Sequence, residues 1–138
     1  MNKITLSLGL ILAAGGLSAV AEDYKVDASK LPKVAAKTGV TFEADIKPLL
    51  EKSCVKCHSG DKPKGKYTME TLAGVLKGGK DYGAAVIAGK SATSPMVGFA
   101  SDLVADMEMP PTDKRDKFPA LTKDQVGLIR AWIDQGAK

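Results

Sequence analysis

The most reactive residue types in this chain lie within five positions. Cys54, Cys57 and His58 form the pattern C-x-x-C-H, and the chain has no other cysteine or histidine. Two thiols at this spacing lie on one side of a helical turn, where both can add to the vinyl groups along one edge of a porphyrin. A histidine directly after the second thiol can bind the iron from one face. The pattern predicts one covalent haem c, with His58 as an iron ligand.

Other interpretations of the two cysteines are weaker. A closed zinc site needs four Cys or His ligands, and the chain holds three such residues. A thioredoxin-like redox pair expects a βαβ context, and no strong strand pattern surrounds the motif. A disulfide between Cys54 and Cys57 would leave His58 without a role.

A haem iron bound by His58 needs a ligand on its other face, and the chain has no second histidine. The soft sulfur of methionine is the usual alternative, and it raises the reduction potential because it favours Fe(II). Met69 follows His58 by only 11 residues, and Met96 lies in an amphipathic helical pattern. We expect neither to reach the iron. Met109 is preferred because the two prolines after it stiffen the loop, and Met107 stays open as the second candidate.

The first 21 residues have the pattern of a secretory signal peptide. Lys3 supplies the positive charge, residues 6–14 form a short apolar run, and Ala19-Val20-Ala21 offers a cleavage site. The run is too short for a comfortable membrane span. We therefore predict cleavage after Ala21, export to the periplasm and no stable membrane insertion afterwards. An uncleaved anchor helix is the alternative. Export agrees with the motif, since haem is attached covalently outside the cytoplasmic membrane in bacteria.

Cleavage would leave 117 of the 138 residues, which is enough for one small domain. Without Lys3 the net charge falls from +4 to +3. Basic and acidic residues are interleaved and aromatic residues are few, so nucleic-acid binding is disfavoured. Residues 22–40 are polar and are interpreted as an extended or loosely packed leader. Residues 41–138 form the predicted domain.

Helical patterns surround the motif. Thr41 is the expected N-cap of a helix that leads into Cys54, and Pro48 should kink that helix or mark a second start. A second, short helix is predicted over residues 70–76. The segment 84–88 fits either a short strand or a packed irregular segment.

The second half of the chain contains two further helix starts. Ser94 followed by proline predicts an N-cap with proline at the first helical position. Thr122 and Gln125 form a capping box, and Gly136 is the expected end of this last helix. Its apolar positions recur at helical spacing, and they are Val126, Ile129, Trp132 and Ile133.

Seven stretches occur in an order that is typical of one family. They are D-I-K-P-L-L-E-K-S-C-V-K-C-H from residue 45, K-P-K-G-K-Y-T-M-E-T from 62, V-L-K-G-G from 75, A-G-K from 88, S-P-M from 94, M-P-P from 109, and L-T-K-D-Q-V-G-L-I-R-A-W-I-D-Q-G-A from 121. Together they make residues 42–137 resemble the class I-like monohaem cytochromes c, and more narrowly the planctomycete-type cytochrome c domain.

The resemblance implies an all-α fold whose N- and C-terminal helices pack across each other around a covalent haem. It implies Cys54 and Cys57 as thioether anchors, His58 as the proximal ligand and Met109 as the distal ligand. The helix contact would join Phe42, Leu49 and Leu50 to Ile129, Trp132 and Ile133.

A six-coordinate iron suits electron transfer rather than catalysis, because no position is open to a substrate. The expected function is a periplasmic one-electron carrier and not an enzyme. Its expected partners are redox proteins, namely a donor dehydrogenase or complex and an acceptor such as an oxidase. Lysines near the haem edge would steer it toward acidic partners or simply form a solvated surface, and they are Lys56, Lys62, Lys64 and Lys66.

Two alternatives stay open. One is a haem enzyme or sensor with an open or displaceable sixth ligand, in which Arg115 or an Asp or Glu residue is the candidate distal acid–base residue. The other is a haem subunit docked on a dehydrogenase, with residues 22–39 as its tether.

Overall fold

The computed structural model describes residues 25–138, so the predicted signal peptide lies outside the described part. A π-helical segment, Phe42–Ile46, precedes the first α-helix, and short 3-10 turns join the later elements. Residues 25–138 contain no β-strand; two glycines form one isolated bridge. The predicted all-α class is confirmed. The helices are α1, Lys47–Ser53; α2, Leu72–Lys77; α3, Pro95–Ala100; and α4, Lys123–Asp134.

The first helical unit begins at Thr41, as predicted. The Thr41 side chain accepts a hydrogen bond from the backbone N–H of Ala44 at 3.4 Å. Pro48 lies in the first turn of α1, where its missing N–H removes no intrahelical hydrogen bond. The proline therefore marks a second helical start, which is one of its two predicted outcomes.

The last helix, α4, has the predicted capping box. The Gln125 N–H donates to the Thr122 hydroxyl at 3.2 Å, and the Thr122 N–H donates to the Gln125 side chain at 2.8 Å. These bonds satisfy N–H groups that a helix start leaves without intrahelical partners. The predicted apolar face of α4 is buried, and its members are Val126, Ile129, Trp132 and Ile133.

The first and last helical units pack against each other through two aromatic rings. The ring centroids of Phe42 and Trp132 lie 5.9 Å apart with a 42° angle between the planes. The Phe42 N–H and the Trp132 indole N–H both donate to the carbonyl of Lys138, at 3.1 and 2.9 Å. Leu50, Ile129 and Ile133 complete this part of the core, with Leu49 half-buried beside it. The predicted contact between the terminal helices is confirmed.

The chain before Thr41 runs along α4 at very short range. The Ala35 N–H donates to the Gly127 carbonyl at 3.0 Å. A Cβ atom on Gly127 would lie 2.4 Å from the carbonyl oxygen of Lys33, which is closer than van der Waals contact allows. Glycine is therefore required at this position of the helix, because the extended segment crosses it.

Further contacts attach the same segment to the end of α4. The Gln135 side chain donates to the Lys37 carbonyl at 2.9 Å and accepts the Val40 N–H at 3.1 Å. Leu31 and Val40 are buried in the core. The half of the leader nearest the domain thus lies against α4 in an extended conformation.

Two local predictions need correction. Helix α2 begins at Leu72 rather than residue 70, because the Thr71 side chain accepts the Gly74 N–H at 3.1 Å and caps the helix there. Ser94 lies at the N-cap position of α3 and Pro95 in its first turn, as predicted, but the Ser94 side chain makes no capping bond. Its hydroxyl instead accepts the Ile87 N–H and donates to the Lys90 carbonyl, both at 2.9 Å. These bonds hold the packed, non-strand segment 84–88 against α3.

Candidate haem-attachment site

The five motif residues form a tight turn at the end of α1. The Cys54 N–H donates to the Leu50 carbonyl at 2.7 Å, which closes the helix. The N–H groups of Cys57 and His58 both donate to the Cys54 carbonyl at 3.1 Å. All three functional side chains are half-buried. The structure therefore brings both thiols and the imidazole together in one turn.

One nitrogen of the His58 ring is fixed by backbone carbonyls. His58 Nδ1 lies 3.1 Å from the Lys64 carbonyl oxygen and 3.2 Å from that of Tyr67. A carbonyl oxygen can only accept a hydrogen bond, so Nδ1 must be the nitrogen that carries the proton. Nε2 then keeps its lone pair. Ligand histidines in metalloproteins have this arrangement, in which the outer hydrogen bond fixes the tautomer and the ring orientation.

The protonation state of His58 suits metal binding. Burial lowers the pKa of the imidazole, while the hydrogen bonds to Tyr67 and Lys64 act in the opposite direction without overcoming burial. The ring is therefore neutral at neutral pH, and the neutral imidazole is the form that binds metal ions.

Tyr67 supports the histidine in two ways. Its ring lies edge-on to the imidazole, with centroids 5.6 Å apart and planes at 63°. Its buried hydroxyl donates to the Val75 carbonyl in α2 at 3.0 Å. The Met69 N–H also donates to the His58 carbonyl at 2.8 Å. The residues after the motif thus fold back onto it and hold the turn that faces Nδ1.

A glycine pair after α2 lies behind that turn. The Lys80 N–H donates to the Gly65 carbonyl at 2.8 Å. A Cβ atom on Gly79 would lie 2.8 Å from the same carbonyl oxygen and 3.0 Å from Cβ of Tyr67. Gly79 therefore allows the two chain segments to approach closely.

The cysteines are free thiols. Burial raises the pKa of Cys54 to about 12, and the neighbouring Cys57 adds to that rise. Cysteines of thioredoxin-like redox pairs have lowered pKa values, because the thiolate is the reactive form. The environment of Cys54 therefore argues against the redox-pair interpretation.

The methionines occupy two kinds of position. Met69 and Met96 are buried in the core, as expected. Met107 and Met109 are half-buried in the loop after α3. The Met109 N–H donates to the Phe99 carbonyl at 3.0 Å, which attaches this residue to the last turn of α3.

The loop that carries Met109 ends next to the residue that precedes the motif. The Ser53 hydroxyl, directly before Cys54, donates to the Pro119 carbonyl at 2.7 Å. Within the loop, the Arg115 side chain donates to the Pro110 carbonyl at 3.0 Å. Met109 is thus separate from the motif turn along the chain, while its loop ends beside that turn.

Comparison with known families adds an independent observation. A family model described as Planctomycete cytochrome C matches residues 54–113. The chain contains a planctomycete-type cytochrome c domain. The matched range begins at Cys54 and extends past Met109. No curated protein and no solved structure gives a significant match.

A cytochrome c domain implies haem c, and the donor set of this domain fits that group. Two free thiols and an imidazole with an available Nε2 share one turn. Met107 and Met109, both half-buried, lie on a second loop whose end contacts Ser53, directly before the motif. These residues therefore fit covalent attachment of haem c. Between residues 25 and 138, no helix has the length and apolar character needed to cross a membrane.

Proposed function

We propose that this c-type cytochrome is a periplasmic monohaem carrier of single electrons. Cys54 and Cys57 are the thioether anchors, His58 is the proximal ligand, and Met109 is the distal ligand. The observation that carries the proposal is the fixed tautomer of His58, whose Nδ1 faces two carbonyls at 3.1 and 3.2 Å. That geometry leaves Nε2 for the iron, beside both thiols.

The chain's own residues would perform distinct tasks in such a carrier. When bound, haem c supplies one-electron Fe(III)/Fe(II) chemistry. The two cysteines hold the group in a single orientation. The carbonyls on His58 strengthen the imidazole as a donor. Met109 would supply the second protein ligand to the iron, and its soft sulfur would favour the reduced state.

Exposed lysines within the motif and in the segment that follows it support docking with acidic redox partners. Clustered positive charge speeds encounter with a negatively charged partner surface. The partners would be a donor dehydrogenase or complex and an acceptor oxidase. The exposed lysines are Lys56, Lys62, Lys64 and Lys66.

The alternative of a haem enzyme is less well supported. Peroxidase-type chemistry needs a free acid–base residue at the distal face, and Arg115 was the basic candidate. Its guanidinium makes two bonds to the Asp102 carboxylate, at 2.8 and 2.6 Å, and one to a backbone carbonyl. An arginine held in this way is not available to a substrate.

Export and attachment can be tested on the same preparation. We expect the mature chain to begin at Glu22 and to keep its haem under denaturing conditions. Intact mass and a haem-stained denaturing gel measure both properties. Haem that extracts into acid–acetone would contradict the covalent link. A chain that retains residues 1–21 and fractionates with membranes would favour the anchored alternative.

The distal ligand is tested by a matched pair of variants, Met109→Ala and Met107→Ala. Sulfur ligation gives ferric haem a weak long-wavelength charge-transfer band. We expect Met109→Ala to abolish that band, admit carbon monoxide to the reduced iron and lower the reduction potential. Met107→Ala lies two residues away and should change none of the three.

The possible results separate the proposals. If the two variants behave the other way round, Met107 is the ligand and the carrier function stands. If the wild-type protein lacks the band and binds carbon monoxide rapidly, the distal position is open. The enzyme or sensor function then replaces the carrier.

A further inference from the structure

The loop between α3 and α4 is closed at its base by one arginine. Arg115 Nη1 and Nη2 donate to the two carboxylate oxygens of Asp102, at 2.8 and 2.6 Å. The Nε–H of the same side chain donates to the Pro110 carbonyl at 3.0 Å. One guanidinium therefore joins the first residues after α3 to the residue that directly follows Met109.

Met109 is held on both sides by this arrangement. Its own N–H donates to the Phe99 carbonyl at 3.0 Å, and the next carbonyl along the chain accepts from Arg115. The Arg115 side chain is only 25% exposed, while that of Asp102 is 41% exposed. A bidentate arginine–carboxylate pair is directional, because the planar fork fits the two oxygens in one geometry. The pair therefore restricts where this backbone can lie.

We propose that Arg115 and Asp102 form a clamp that positions Met109 and limits how often its sulfur leaves the iron. The proposal rests on Met109 being the distal ligand. Arg115 and Asp102 are positioning residues, since they act through the backbone on either side of the ligand.

The clamp should act on local opening rather than on global stability. A partly exposed ion pair contributes little to the free energy of unfolding. Loops can open in small cooperative units while the remainder of the fold stays intact. Removing the clamp should therefore increase the open population of residues 102–115 and leave the thermal midpoint nearly unchanged.

The test uses the ferric holoprotein and neutral imidazole as an external ligand. Imidazole can bind only when the methionine sulfur has left the iron, so its binding rate reports loop opening. We expect Asp102→Asn and Arg115→Lys each to raise that rate about fivefold to tenfold, the scale of one charge-assisted hydrogen bond discounted for exposure. The double variant should resemble Arg115→Lys, because Asp102→Asn removes only a part of the interactions that Arg115→Lys disturbs.

The matched control is Asp113→Asn. This aspartate lies in the same loop and pairs with Lys114 at 2.7 Å, outside the Arg115 interaction. The change alters the charge of the loop equally but leaves the clamp intact. We expect its imidazole rate to equal that of the wild type. An equal acceleration in the control would mean that loop charge, and not the clamp, sets the rate.

Hydrogen exchange at the Met109 amide gives a readout that does not depend on iron ligation. Protection of this amide should fall by a similar factor in Asp102→Asn and stay unchanged in Asp113→Asn. Unchanged imidazole rates and unchanged protection in both clamp variants would overturn the inference. A wild-type protein that lacks the sulfur charge-transfer band would instead overturn Met109 as the ligand, and the amide result would still decide whether the clamp holds the loop.

Discussion

Replacing Gly79 with alanine should disturb the support of the proximal histidine without touching the haem motif. The new Cβ would lie 2.8 Å from the Gly65 carbonyl oxygen and 3.0 Å from Cβ of Tyr67. Both neighbours are rigid parts of the chain, so the turn must move. The same turn supplies the Lys64 and Tyr67 carbonyls that face His58 Nδ1.

The stability effect follows from overpacking. Forcing one methyl group into a packed site costs about 1 to 3 kcal/mol. Replacement of glycine by alanine returns about 0.4 to 1 kcal/mol, because the unfolded chain becomes less flexible. The φ angle of Gly79 is not in the left-handed region, so no backbone strain is added. The expected net loss is about 1 kcal/mol, within a range of roughly 0 to 2.6 kcal/mol, and is measured by denaturant unfolding of the holoprotein.

The functional effect follows from the hydrogen bond. If the shift removes half of a bond worth about 1 kcal/mol, the imidazole becomes a weaker donor to the iron. Fe(III) depends on that donor more than Fe(II) does, so the reduction potential should rise. About 0.5 kcal/mol corresponds to roughly 20 mV for one electron, since a tenfold change in equilibrium is 59 mV. Redox titration measures the shift.

Gly89→Ala is the matched control. Gly89 has a φ of +77°, and a Cβ there would meet nothing within 4 Å. This variant should lose about 1 to 2 kcal/mol through left-handed strain alone and keep its potential. A Gly79→Ala protein that is destabilised but has the wild-type potential would refute the link between this glycine and His58. Unchanged stability as well would mean that the contact relaxes without moving the turn.

Two further predictions concern the segment along α4. Gly127→Ala places a Cβ 2.4 Å from the Lys33 carbonyl oxygen, so it should lower the free energy of unfolding by about 1 to 3 kcal/mol. Limited proteolysis should also cut the chain before Val40 more readily. Wild-type unfolding and wild-type cutting would contradict the attachment of this segment to α4. The hydrogen bonds from Lys37 and the Thr41 N–H lower the pKa of Asp45 below its usual 3.8. The resulting stabilisation is present above the unfolded-state pKa of Asp45 and is lost as pH falls through its folded-state pKa. Asp45→Asn should therefore flatten the acid limb of a curve of stability against pH below about pH 4. An acid limb like that of the wild type would contradict this prediction.

The helical framework could be predicted because its signals are local. The Thr122 capping box and the apolar spacing of α4 lie within a few residues of one another, so the sequence displays the whole interaction. The resemblance to the planctomycete-type cytochrome c domain could also be predicted, because short motifs follow one another in the order that is typical of that family. The predicted start of α2 was wrong by two residues because Thr71 forms the cap, and a threonine hydroxyl competes well with nearby residues for that position.

The supports of the site could not be predicted in the same way. The bond from Gln135 to the Lys37 carbonyl joins residues 98 apart in sequence, and no periodicity indicates such a contact. Arg115 and Asp102 are two ordinary charges among many until the loop brings them together. Ser94 fits the pattern of a cap, yet its hydroxyl bonds to the packed segment before it. Tertiary packing decides each of these cases, and local propensity does not.

The two sides of the candidate site come from segments at different distances along the chain from the C-x-x-C-H motif. The atoms that orient His58 come from Lys64 and Tyr67, within nine residues of it. Met109 belongs to a loop about fifty residues later. With Met109 as the proposed distal ligand, substitutions in that later loop should change the potential or the ligand exchange rate while leaving the attachment turn intact. Such a division would let one half of the site change for a new redox partner without altering the other half.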